Sequence, residues 1–211
     1  MQVNSLDRPI QTATQVLVEG RTGEMFFREF VEGIGLKEQV QVRDFGSAEK
    51  FRGYLKLFSS LKGFREKVAS LGIIRDAESQ PAVAAFQSVC AYLKEAGFAP
   101  PNAVGSLGEG TPRVGVYILP NCQHPGMLET LCWSVLEADP KFAEELACVT
   151  RFLDCLRANK VVVVNESKAK VWVYLSGRGR FDPLVGRAAQ NKVWDWQSPA
   201  LKPVADFLRN L

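Results

Sequence analysis

The stretch Val16-Leu17-Val18-Glu19-Gly20 decides the fold. Three apolar residues run into a carboxylate and a glycine. An amphipathic run follows over residues 22–34, with Phe26, Phe27, Phe30, Val31 and Ile34 at helical spacing. A buried strand that ends on an acid, turns on glycine and feeds a helix brings that acid to the carboxyl edge of a sheet. Open α/β sheets bind their ligands at that edge. The same grammar recurs at Leu71-Gly72-Ile73-Ile74-Arg75-Asp76-Ala77-Glu78. One strand-end acid alone reads as a helix cap or a solvated turn residue; two in one pattern point to a site.

Outward from these stretches, strands are expected at residues 15–18, 40–42, 71–74 and 114–119. Thr22 is expected to cap the first helix, and Ser47 to open a second with Phe51, Tyr54, Leu55 and Phe58 inside. A helix after Pro81 would bury Val83, Phe86, Cys90 and Leu93, and one from Leu128 would bury Leu131, Cys132, Val135 and Leu136. The alternation implies an α/β fold: a mostly parallel central sheet of about four strands with helices on both faces. Residues 1–137 read as this core. Residues 138–211 read as a mainly helical C-terminal extension packed on it, in a single compact domain. Phe142, Leu146, Val149, Phe152, Leu153 and Leu156 should be buried in the first helix of the extension. Residues 161–164 suggest a strand or a buried extended piece. Residues 168–175 suit either a strand, through Val171, Val173 and Leu175, or a helix.

The 211 residues carry a formal charge of +3, too weak to name a partner, but its distribution says more. Residues 151–192 hold nine basic side chains against three acids, including a basic, glycine-rich turn at 176–180. A basic C-terminal third facing an acidic sheet edge suits a polyanion held near metal ions. The glycine run in the loop 98–112 lacks the Lys-Ser/Thr ending of a phosphate-binding P-loop and reads as a mobile surface connection. The five cysteines are odd in number, contain no Cys-x-x-Cys and mostly sit in apolar helical patterns. They indicate a reducing cytoplasm rather than a disulfide framework. Cys122 and His124 lack a second pair for a zinc site. No signal sequence opens the chain, and no apolar run nears the roughly 20 residues needed to cross a bilayer.

Right-handed crossovers should bring Glu19 and Asp76 together at the strands' carboxyl ends. If residues 76–78 stay extended, Asp76 and Glu78 point to one side. Three carboxylates that close raise one another's pKa, and a divalent cation removes the conflict. Oxygen ligands suit magnesium or manganese rather than zinc. Glu129, in the first turn of its helix, could serve the helix dipole or point back at the sheet edge.

With these residues the chain resembles the TOPRIM (topoisomerase-primase) superfamily, which has Glu-Gly after its first strand and Asp-x-Asp after its third. The counterparts are Glu19-Gly20 and Asp76-Ala77-Glu78. The resemblance covers about residues 14–135. The whole chain is similar to small stand-alone prokaryotic TOPRIM-like proteins of unassigned function. The stretches carrying that likeness are Val18-Glu19-Gly20-Arg21-Thr22, Leu71-Gly72-Ile73-Ile74-Arg75-Asp76-Ala77-Glu78, Pro125-Gly126-Met127-Leu128-Glu129, Val185-Gly186-Arg187-Ala188-Ala189 and Trp194-Asp195. It favours a helix over 168–175.

The resemblance implies a magnesium- or manganese-dependent nuclease, or a related phosphodiester-cleaving enzyme, acting on DNA or RNA. Glu19 would be a metal ligand or general acid/base, Asp76 and Glu78 would hold the metal, and Glu129 would complete the site. Lys168 or Lys170 would assist catalysis. Two departures stand out: Glu78 replaces the second aspartate, and Gly23 stands where relatives often carry an acid. The alternative is a non-catalytic TOPRIM-like module that binds nucleic acid or protein. A phosphoacceptor domain with Asp76 as acceptor is a third reading. The oligomeric state is open, with a homodimer among the alternatives.

Overall fold

A computed structural model describes residues 5–178 and 182–211. The basic turn expected at 176–180 lies partly outside them. Four strands, β1 (Thr14–Val18), β2 (Val40–Asp44), β3 (Ser70–Asp76) and β4 (Arg113–Leu119), form one parallel sheet in the order β2-β1-β3-β4. Strands β1, β3 and β4 are largely apolar on both faces, as a parallel sheet covered on both sides requires, whereas the edge strand β2 carries Gln41 and Arg43 on one face. The chain leaves β1 in one direction to β2 and returns to the other side of β1 for β3. The topological switch point therefore lies between the carboxyl ends of β1 and β3, where Glu19 and Asp76 sit.

Helix α1 (Gly20–Gly33) covers one face through Phe26, Phe27, Phe30 and Val31. Helices α2 (Phe51–Ser59), α3 (Phe64–Lys67) and α4 (Ala82–Glu95) cover the other, with Leu17, Leu71, Ile73, Val114 and Val116 beneath them. Helix α5 (Leu128–Glu137) returns to the α1 face. The extension follows as α6 (Ala143–Ala158), α7 (Glu166–Gly177), α8 (Val185–Gln190) and α9 (Lys202–Asn210). Its Val171, Leu175, Val185, Val204 and Phe207 share one apolar cluster with Val16, Val18 and Ile74 of the sheet.

Several expectations need correction. Thr22 lies inside α1, whose N-cap is Glu19 and whose first residue, Gly20, takes a positive φ of 70° at the turn out of β1. Ser47 precedes a turn, and α2 starts only at Phe51. Helix α4 buries Ala82, Ala85, Val89 and Leu93, one position off the expected face, and leaves Val83 exposed. Its alanines let the helix lie close on the sheet. Phe152 is half-exposed on α6. Residues 161–164 form neither strand nor core: Val162 is 81% exposed and Val164 93%. The 98–112 loop is fastened to the β4 edge, where the amides of Gly105 and Gly108 donate to the carbonyls of Val116 and Val114. Residues 168–175 are helical within α7.

One close approach fixes the extension against α1. A Cβ on Gly186 of α8 would stand 2.7 Å from the Thr22 carbonyl oxygen and 2.8 Å from Met25 Cβ. Neither atom can rotate away. Gly186→Val is therefore expected to destabilise the protein by about 1–3 kcal/mol, as overpacked cores do, measured by urea unfolding.

Candidate functional site

Strand parity and register place the two key acids. Val18 of β1 is level with Ile74 of β3, so Glu19 is level with Arg75 and one step short of Asp76. Successive strand side chains alternate between faces. Arg75 therefore leaves on the α4 side, where its Nη1 donates to Ser88 Oγ at 3.2 Å. Asp76 leaves on the α5 side, where its Oδ1 accepts the first amide of α5, from Leu128, at 3.0 Å.

Glu19 follows Arg75. The Ala48 amide donates to its Oε1 at 3.1 Å, and Arg75 Nε stands 3.9 Å from its Oε2. Oε2 and Nε are both buried without a hydrogen bond among the described residues. Burial raises the Glu19 pKa, while Arg75 and the amides of Asp76 and Ala48 pull it down. The carboxyl of Asp76 is pushed well above the ordinary range, first by burial, then by Glu19, Glu129 and Glu78; the Leu128 amide opposes this. Glu129 is buried in the first turn of α5. Its pKa is raised by burial and by Glu78, and lowered by its own amide and by Lys168. The four expected acids thus share one electrostatic environment at the sheet edge, with Lys168 beside it.

Glu78 reaches this environment by a different route from the one expected. The strand ends at Asp76, and Glu78 takes a positive φ of 58°. Its amide and carbonyl exchange two 2.8 Å hydrogen bonds with Gly126, which tie the end of β3 to the entry of α5. Period-two geometry therefore does not align it with Asp76.

Among the described residues, no three His, Cys, Asp or Glu side chains converge closely enough to hold a metal ion as they stand. The register explains this, because Glu19 is drawn to Arg75 on one side of the sheet and Asp76 to α5 on the other. The donor chemistry nonetheless fits a hard divalent cation. The set is all oxygen, Glu19 Oε2 is a buried acceptor without a hydrogen bond, and mutual repulsion is what such an ion relieves.

The family model described as "Protein of unknown function (DUF3226)" matches residues 13–211. The chain belongs to the DUF3226 family. No curated protein and no solved structure matches it.

In this DUF3226 member, other charges near the edge have separate duties. Glu24 is buried and paired with Arg8 and Arg21, so it does not stand in for an acid at Gly23. Arg157, Lys170 and Arg178 of the basic third are engaged with Asp154, Glu166 and Glu145. Among the described residues of that third, Lys168 is the one whose charge is felt at Glu129. Sequence reasoning missed Arg75. Arg75 was visible as the one charge inside an apolar strand before Asp76. Cys132 is fully buried in α5, as expected, its thiol pushed well up by burial and then by Glu129 and Asp76.

There is room for a methyl group at Gly23. A Cβ there would meet Val18 Cγ2 at 3.7 Å, an ordinary contact. Gly23→Ala should therefore stabilise α1 by about 0.5–1 kcal/mol, the usual cost of glycine in a helix interior. A rise in the thermal midpoint would register it.

Proposed function

We propose that this chain is a TOPRIM-like enzyme that cleaves phosphodiester bonds in nucleic acid with magnesium or manganese. What supports the reading is that Glu19 and Asp76 stand at the carboxyl ends of β1 and β3, at the switch point of the sheet, with Glu78 and Glu129 near enough to raise the Asp76 pKa. Asp76, Glu78 and Glu129, with Glu19, would hold the ion. Such an ion supplies Lewis-acid polarisation of the phosphate and a water acidic enough to attack it. The chain's own residues then have distinct duties. The Leu128 amide fixes Asp76, Ala48 and Arg75 orient Glu19, and Lys168 brings a positive charge beside Glu129. Five free thiols favour a reducing, cytoplasmic setting for this activity. Among the described residues, no helix is long and apolar enough to cross a membrane.

A second reading rests on the Arg75–Glu19 pair. A guanidinium already beside Glu19, with Gly23 lacking a carboxylate, suits a binding module that has given up catalysis. The two readings separate in a cleavage assay on supercoiled DNA, single-stranded DNA and RNA, in manganese, magnesium and chelator. Metal-dependent cleavage by wild type and not by Asp76→Asn supports the enzyme. No cleavage by either protein supports the module.

A further inference from the structure

The indole of Trp172 is open on α7, the helix whose start packs beside Glu129, and the other three tryptophans show how unusual that is. Trp133 donates to Glu137 and lies under Lys170; Trp194 donates to the Val185 carbonyl; Trp196 packs on Phe26 and Phe30. Trp172 is 44% exposed and makes no ring contact or hydrogen bond among the described residues.

Its position is tied to the site. Trp172 stands four residues after Lys168 on α7, and such pairs are neighbours on one helix flank. Lys168 is the residue whose charge is felt by Glu129. The start of α7 is pinned to α5 next to that glutamate: Thr130 Oγ1 donates to Ser167 Oγ at 2.9 Å, and Asn165 Nδ2 donates to Met127 Sδ. A cation next to carboxylates, with an unpartnered aromatic face one turn away, matches a strand whose phosphates lie at the acids and whose base has left its pair. Bases within a duplex have no free face to offer; unpaired bases stack on aromatic side chains.

We propose that Trp172 is a stacking platform for an unpaired base, so that the substrate of the acidic site is single-stranded nucleic acid. The inference rests on the functional reading above and narrows it. The stacked base and the Lys168 contact are common to DNA and RNA, so both are tested.

The test is fluorescence anisotropy in chelator, where no cleavage intervenes. The probes are labelled 12-nucleotide oligothymidylate and oligouridylate and a 12-base-pair duplex, against wild type, Trp172→Ala, Trp172→Phe and Lys168→Ala. The single strands should bind more tightly than the duplex. Trp172→Ala should weaken that binding about 5- to 100-fold, while Trp172→Phe stays close to wild type. Lys168→Ala should reduce the salt slope by about 0.7. Oligothymidylate should also quench the tryptophan emission of wild type more than that of Trp172→Phe, a readout that does not depend on the alanine variant folding. Unchanged binding by Trp172→Ala, equal or tighter binding of duplex, or no binding at all overturns the proposal. Trp172-dependent binding without metal-dependent cleavage would remove the enzyme and keep the platform. Cleavage with Trp172-independent binding would do the reverse.

Discussion

Asp76→Asn is expected to abolish metal-dependent cleavage and, at the same time, to make the protein more stable at pH 8. The asparagine keeps an oxygen for the Leu128 amide, so the entry of α5 should stay in place. What it removes is a buried negative charge surrounded by Glu19, Glu129 and Glu78. Sites built for function often hold such repulsion, and relieving it typically stabilises by about 0.5–2 kcal/mol. The sign follows from linkage. The folded pKa of Asp76 lies above its ordinary value, so the folded state holds that proton more tightly than the unfolded one. The stabilisation is fully present below about pH 4 and is lost as pH rises through the raised pKa. The variant's advantage should therefore be absent near pH 4 and open as pH increases. Thermal melts from pH 4 to pH 8 measure it. An asparagine variant equal to or less stable than wild type at pH 8 would mean that the cluster carries no net repulsion.

The second large effect is expected at Arg43, far from the chemistry. This side chain, on the edge strand β2, is fully buried. Its Nε donates to Gln15 Oε1 at 2.8 Å, Nη1 to the carbonyls of Ser5 and Arg8, and Nη2 to the carbonyl of Pro9 at 2.8 Å. The guanidinium also lies over the Phe58 ring. One planar fork thus fastens the segment before β1 across the sheet edge, and a lysine cannot reproduce its geometry. Arg43→Met removes the guanidinium donors from three carbonyls and an amide oxygen, of which the Pro9 carbonyl keeps Gln41 Nε2. A loss of about 3–5 kcal/mol is expected, the range for breaking a buried charged network. Arg43→Lys should recover only part of it. Urea midpoints for the two variants provide the check, and a methionine variant as stable as wild type would show that the segment before β1 adds little.

The sheet was legible in the sequence because strand-end acids and glycines mark where β1 and β2 stop, an acid marks the end of β3, and Pro120 marks the end of β4. Val18-Glu19-Gly20 and Ile74-Arg75-Asp76 locate the switch point without any contact information. Local patterns failed where a residue's fate depends on a distant neighbour. The exposed face of α4 was misplaced because Val83 looks more apolar than Ala82, yet the alanine is what fits under the helix. Residues 161–164 look like core by composition and are held out by the turn between α6 and α7. The site itself was half legible. Its four acids were nameable, but the register that sets Glu19 beside Arg75 rather than Asp76 appears only when β1 and β3 pair. The turn at Glu78 likewise depends on Gly126, 48 positions further along the chain. Fold membership leaves the chemistry open, so the weight falls on the acids themselves.

The most direct test of the acidic edge as a cation site is manganese binding, followed by the paramagnetic resonance of the free ion. Wild type and Asp76→Asn would be titrated side by side without substrate. Saturable binding to wild type, weakened about 100-fold or more in the variant, is the predicted result. No saturable binding to wild type, or equal binding to both proteins, would contradict the account.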